Sequence, residues 1–194
     1  MKKLGLLISI IFCLLMLCFT GCREVLKVLY RVHKPRIEKT ESVRNYYLKS
    51  GIDTMYLFHV KSKYWNKVLK EQSYMPSFQI YDKSLNLLNP GLDTIGKKGC
   101  PKTFSELIAT LDANSTISLD SSRNNLTEIL ILLDGNTSSV YIDSISDYYI
   151  VAYSGKFCGK LNSAIVDVQN MIAKNSKAHF KFIKISLDPL KSWN

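Results

Sequence analysis

At 194 residues the chain can bury one core of ordinary size after a leader, since domains usually run to about 100–150 residues. It carries 26 Lys+Arg against 16 Asp+Glu, but no recognition motif accompanies the surplus, which sets nucleic acid aside as a partner. His33, His59 and His179 stand apart without metal-ligand spacing, and the chain has neither a Gly-rich phosphate loop nor a serine-nucleophile elbow, so no metal or cofactor is expected.

The chain opens with two lysines, a charge-free run from Leu4 to Phe19, and small residues ending at Cys22, which is the layout of an export signal. The alternative is an uncleaved anchor, the run lying at the lower end of the roughly 17–25 residues that cross a bilayer. The last four residues, Phe19-Thr20-Gly21-Cys22, resemble the lipobox of bacterial lipoproteins. That resemblance implies a signal peptide over residues 1–21, lipidation of Cys22 as the new N-terminus, and a protein held to a membrane of the bacterial cell envelope, facing the periplasm.

Residues 22–52 read as a lipidated basic tether. From Arg23 to Lys49 there are eight Lys/Arg and three Glu, a charge balance suited to anionic headgroups. Val25, Leu26, Leu29 and Val32 fall at helical spacing, and Pro35 ends that run. A solvated tether with a short helix fits the same residues.

Beyond Asp53, Thr54 to Val60 is rich in β-branched and aromatic residues and predicts a strand, and Ser62 to Gln72 predicts a helix with Tyr64, Val68 and Leu69 on its apolar side. Ser77 to Asp82, then Leu85 to Leu88 after a polar turn, predict a hairpin. A Pro- and Gly-rich loop follows and contains Cys100, just before a helix with Phe104, Leu107, Ile108 and Leu111 on one face.

A polar connection over residues 112–125 separates this half from the next. There, Asp134-Gly135 predicts a hairpin turn, because that pair tolerates the positive φ angles such turns need. Tyr148 to Tyr153 predicts a strand, residues to about Lys174 a helix with Leu161, Ile165, Val168 and Ile172 on one face, and His179 to Asp188 a closing strand, the pattern of a βαβ unit with a buried parallel pair.

Only Cys100 and Cys158 remain in the exported body, in a compartment where a disulfide persists. Cys158 falls between a strand and a helix, with Lys156 and Lys160 nearby. A helix N-terminus and neighbouring cations are what lower a thiol pKa, so a nucleophilic sulfur is one reading. A static staple or an unpaired small apolar residue is the other. Asn162, used as an N-cap, would start the helix a turn later and leave Cys158 outside its field.

The order of Gly-turn hairpin, apolar strand, Phe157-Cys158-Gly159-Lys160-Leu161, amphipathic helix and the strand ending Ile185-Ser186-Leu187-Asp188 resembles the first half of thioredoxin-like domains in envelope redoxins. By that resemblance Cys158 matches the attacking cysteine, while Leu161 stands where the resolving one belongs, so disulfide exchange cannot close within the motif. Peroxiredoxins, a sister group, usually place a threonine three residues ahead of the attacking cysteine, where this chain has Gly155.

The parts missing after Asp188 resemble residues 53–113, with Met75-Pro76-Ser77 in the place of the family's cis-proline. The expectation is an α/β, thioredoxin-like mixed sheet flanked by helices over residues 53–194, assembled from halves 53–113 and 126–188 in permuted order. The strand at Phe78 should then lie antiparallel to the strand at Ile150.

The resemblance implies a substrate groove at Pro76, Phe157 and Gly159, with Cys158 and a displaced Cys100 as the catalytic pair if the domain turns over. The expected function is a membrane-anchored, non-catalytic binding or scaffold protein whose partner is another envelope protein. The alternative is a thiol-redox accessory protein using Cys158 and Cys100.

Overall fold

In the computed structural model, residues 27–72, 75–88, 101–113, 130–133 and 145–193 are described. Cys22, Cys100 and the Asp134-Gly135 turn lie outside them. Five strands, β1 (Leu57–Val60), β2 (Ser77–Asp82), β3 (Leu130–Leu132), β4 (Tyr148–Ser154) and β5 (Phe180–Ser186), form one sheet in the order β2-β4-β5-β1-β3. The helices are α1 (Thr40–Lys49), α2 (Ser62–Glu71), α3 (Pro101–Thr110) and α4 (Ser163–Lys174). This is an α/β, thioredoxin-like mixed sheet flanked by helices.

The two halves of the sequence interleave in the sheet. β2 runs antiparallel to β4 with Ile80 opposite Ile150 and Phe78 opposite Ala152, as the permuted order requires. β4 and β5 are parallel and joined through α4, β1 lies parallel to β5, and β3 runs antiparallel to β1. The hairpin after β2 closes with the Tyr81–Leu87 bridge, its turn held by the Asp82 carboxylate, which accepts from the backbone N–H groups of Ser84 and Asn86.

β4 has no solvent face, and its sequence shows why: every residue from Tyr148 to Ser154 is buried. Successive side chains point to opposite faces. Tyr148, Ile150 and Ala152 join Val43 and Tyr47 of α1, Phe104 and Ile108 of α3, and Ile165 and Val168 of α4 in one cluster. Tyr149, Val151 and Tyr153 join Val68 of α2, Ile183, Ile185, Phe157 and Cys158 in the other. Each fully buried aliphatic side chain here contributes about 1.5–3 kcal/mol relative to exposure. Asn175, just past α4, ties the layer together by donating from Nδ2 to the carbonyls of Ile108 (2.6 Å) and Leu111 (3.1 Å) at the end of α3. Those carbonyls have no partner within their own helix.

Two local expectations change. β1 starts at Leu57 rather than Thr54, because Met55 and Tyr56 form a turn in which Tyr56 has φ 56°. The second half of the expected tether belongs to the folded body: Val43, Tyr47 and Ile52 are at most 1% exposed and sit in the core. The basic residues of α1 masked this packing stripe, since Val43 and Tyr47 are its only fully buried positions.

Candidate functional site

The parallel strands β4 and β5 end together at Ser154 and Ser186, in register with one another. Ligands of open α/β sheets gather outside such carboxyl ends. The chain leaves β4 through an extended Gly155 and enters a 3-10 turn, Lys156–Asn162, that carries Cys158. The α-helix starts only at Ser163. Cys158 is thus five residues ahead of the first helical residue, beyond reach of a dipole effect confined to the first turn. Asn162 makes no capping bond; its Nδ2 donates to Gly155 O (2.8 Å) and to Tyr46 Oη (3.1 Å) instead, while its buried Oδ1 is without a partner.

Cys158 carries a free thiol that is 2% exposed among Phe157, Tyr153, Ile185 and Leu187. Burial pushes the thiol up to about 12, and the nearby Asp188 carboxyl pushes it the same way, while a backbone hydrogen bond at Gly155 offsets only part. The nucleophilic setting expected at a helix N-terminus is therefore reversed: the helix begins too late, and the sulfur faces the core. Phe157 is buried beside it. On the facing strand, Met75 packs on the same cluster, the Met75–Pro76 peptide is cis, and Ser77 lies opposite Tyr153. Pro76 and the Cys158 turn thus share one end of the sheet, as the resemblance implies.

What closes this end is the chain's own N-terminal segment. Lys27–Tyr30 form a helical turn, Arg31 reverses the chain with φ 55°, and the backbone N–H of His33 donates to Phe157 O at 2.9 Å. The crossing rests on Gly159, which has φ 57° and ψ −130°. A Cβ there would stand 2.2 Å from Tyr30 O and 2.5 Å from Arg31 O, inside any tolerable contact with backbone. Glycine permits both the dihedral and the approach. Tyr46 of α1 adds a hydroxyl bond to Gly159 O at 2.9 Å.

The strap then makes a single parallel bridge, Glu38 beside Leu190. Glu38 N donates to Pro189 O and Lys191 N to Glu38 O, each at 2.8 Å. The Glu38 carboxylate meets the Lys156 ammonium at 2.6 Å, and Ser42 bonds to both partners. Burial works against this carboxylate, but the hydrogen bonds from Lys156 and Ser42, with the Lys156 charge, hold it below its usual range. Beneath the pair lies Asp188, which is 1% exposed. It accepts the Lys156 backbone N–H on both oxygens (3.1 and 2.9 Å) and the Ser186 hydroxyl at 3.0 Å. Burial nevertheless pushes it up to about 6, the Lys156 backbone and Ser186 bonds opposing. Tyr47 Oη and Ser154 Oγ complete the buried polar layer at 2.6 Å, and burial raises the Tyr47 phenol well above its usual range.

Sequence reasoning placed Cys158, Phe157, Gly159 and Pro76 at one end of the fold, and the structure brings them there; Cys100 lies outside the described residues. It missed Asp188, Glu38, Ser154 and Tyr47. The available signal was Asp188 two residues past the end of β5, where a carboxylate falls at a strand's carboxyl end. Among the described residues no group of His, Cys, Asp and Glu can hold a metal ion. No helix of the described residues is long and apolar enough to cross a membrane. No family model, curated protein or solved structure matches the chain.

Proposed function

We propose that this is a membrane-anchored envelope lipoprotein whose thioredoxin-like domain is a non-catalytic binding or scaffold module. The observation that carries this reading is the backbone of Tyr30 and Arg31 seated on Gly159, over the turn that holds Cys158. A redoxin presents its sulfur to a substrate disulfide; here the chain itself occupies that approach, the sulfur is buried, and Leu161 replaces the second cysteine. A buried, high-pKa thiol is inert.

The same strap supports the membrane side of the reading. Val28, Leu29, Tyr30 and Ile37 are exposed large apolar side chains interleaved with Lys27, Arg31, Lys34 and Arg36. Apolar anchors mixed with cations suit the interface of an anionic bilayer. The strap begins five residues after Cys22, so a lipid there would hold this end of the sheet against the surface.

The test is alkylation of the mature chain in vesicles, with mass spectrometry following Cys158 and Cys100 separately, alongside reduction of insulin disulfides. Raising a thiol from 9.0 to about 12 lowers its thiolate fraction near neutral pH on the order of a thousandfold. Cys158 should therefore react at least about a hundredfold more slowly than a free cysteine, with no insulin reduction. A reversible Cys100–Cys158 disulfide poised among envelope oxidoreductases would overturn the proposal and establish the thiol-redox alternative.

A further inference from the structure

The strap over the Cys158 turn has two sides of different chemistry. Toward the body it presents backbone: the carbonyls of Tyr30 and Arg31 lie against Gly159, and the N–H groups of His33 and Glu38 donate to Phe157 O and Pro189 O. Toward solvent it presents Val28 at 79% exposure, Leu29 at 56% and Ile37 at 62%. Ordering a backbone costs conformational entropy, and apolar side chains left in water recover none of it. The outer face is thus apolar surface that folding of this chain leaves uncovered.

Its charge is one-sided. Arg31, Lys34, Arg36 and Lys39 are exposed and make no ion pair among the described residues. Glu38, the one carboxylate between Lys27 and Lys39, is already matched by Lys156 on the inner side. Four residues, Arg23 to Leu26, separate this segment from Cys22. A fully extended chain of five steps reaches at most about 18 Å, so a lipid at Cys22 keeps the positive, apolar face that close to the headgroups.

We infer that an anionic phospholipid bilayer is the partner of this outer face and that its contact clamps the strap over the Cys158 turn; the inference rests on the membrane-anchored reading above. Seated, the strap has its backbone ordered by the body and its apolar side chains turned outward. Unseated, the same segment must be ordered as it enters the bilayer, so the bilayer binds the seated form better. Coupling between two such equilibria is reciprocal, and bilayer contact therefore favours seating.

The experiment places the mature lipidated chain in vesicles of phosphatidylcholine alone and of phosphatidylcholine with about one-third phosphatidylglycerol, which hold the anchor alike and differ in surface charge. Hydrogen exchange of residues 27–38 reports strap opening, because the His33 and Glu38 amides are bonded inward. Iodoacetamide alkylation of Cys158 reports access beneath. Both should slow by about threefold or more on the anionic vesicles, and 1 M salt, with a Debye length of about 3 Å, should erase the difference. Arg31→Gln combined with Arg36→Gln, two exposed positions that leave the fold intact, should reduce it by at least half. In Gly159→Ala, which keeps the strap from seating, the anionic vesicles should no longer slow alkylation.

Equal rates on both vesicles would overturn the clamp and leave the apolar face to a protein partner. Faster exchange on the anionic vesicles would mean that lipid pulls the strap away, and equal slowing in Gly159→Ala that the bilayer merely blocks the reagent; either overturns it. The two readings fail differently. A slow Cys158 indifferent to lipid charge removes the clamp alone, whereas rapid alkylation with insulin reduction on the neutral vesicles removes the non-catalytic reading, the clamp still being read from the ratio between the two lipids.

Discussion

Replacing Asp188 with asparagine isolates the electrostatics of the strapped end. The folded carboxyl titrates at about 6 because it is buried, against 3.8 as its ordinary value. Between those two pH values the unfolded chain has lost a proton that the folded protein keeps, so folding stability falls as pH rises. The contribution is fully present below the unfolded pKa and is gone above the folded one. Two pKa units at about 1.4 kcal/mol each give a loss of about 3 kcal/mol across the window. Asparagine cannot ionise and, with its amide oxygen in the Oδ2 position, keeps an acceptor for both the Lys156 N–H and the Ser186 hydroxyl. The variant should therefore match the parent in mild acid and gain on it by about 3 kcal/mol towards neutral pH. Urea unfolding at a series of pH values measures this, followed by fluorescence of the two tryptophans, of which Trp65 donates from Nε1 to Leu187 O next to the site. Parallel stability profiles, or a deficit in the variant that grows with pH, would refute the reasoning.

Two further changes probe the strap. Gly159→Ala drives a Cβ into the carbonyls of Tyr30 and Arg31 at a positive φ. Strain of about 1–3 kcal/mol should loosen the strap and speed Cys158 alkylation about tenfold or more; an unchanged rate with unchanged melting would show that the strap is not what shields the thiol. Glu38→Gln keeps the shape but removes the charge facing Lys156. Because the Glu38 pKa is lowered on folding from 4.5, its contribution is present above that value and lost as pH falls through the folded pKa. The variant should be about 1–3 kcal/mol less stable than the parent near neutral pH, the deficit shrinking in acid, as denaturant curves at both pH values would report. A deficit independent of pH would assign the loss to packing.

The strand–helix–strand unit from Tyr148 to Ser186 was legible because its apolar runs are long and its helix keeps a three-and-four spacing, and the antiparallel pairing of Phe78 and Ile150's strands followed from matching the chain in two pieces. The state of Cys158 was not legible, for a physical reason. A helix start is decided by a few local bonds, and Asn162 spends its amide on Gly155 O and Tyr46 Oη rather than on a cap, which leaves the cysteine in a 3-10 turn. The strap over that turn comes from residues more than a hundred positions away, and charge spacing along Arg23–Lys49 says nothing about which of them fold back. Val43 and Tyr47 vanish among basic neighbours in the same way. Lys181 and Lys184 interrupt an otherwise apolar strand that the sequence predicts as buried, and both are buried with it.

β5 links the strapped turn to the far edge of the sheet. Its seven residues span about 20 Å at roughly 3.3 Å each, with Ser186 beside the strapped turn and Phe180 at the far end. In the thioredoxin-like arrangement the carboxyl end of the sheet is the exposed one, where a redoxin works. In this chain that end carries the strap's backbone bonds, the Glu38–Lys156 ion pair and the buried Asp188 carboxyl. Among the described residues the strap's bonds reach only the carboxyl ends of β4 and β5, because connectivity places Lys27–Glu38 beside Phe157, Gly159 and Pro189.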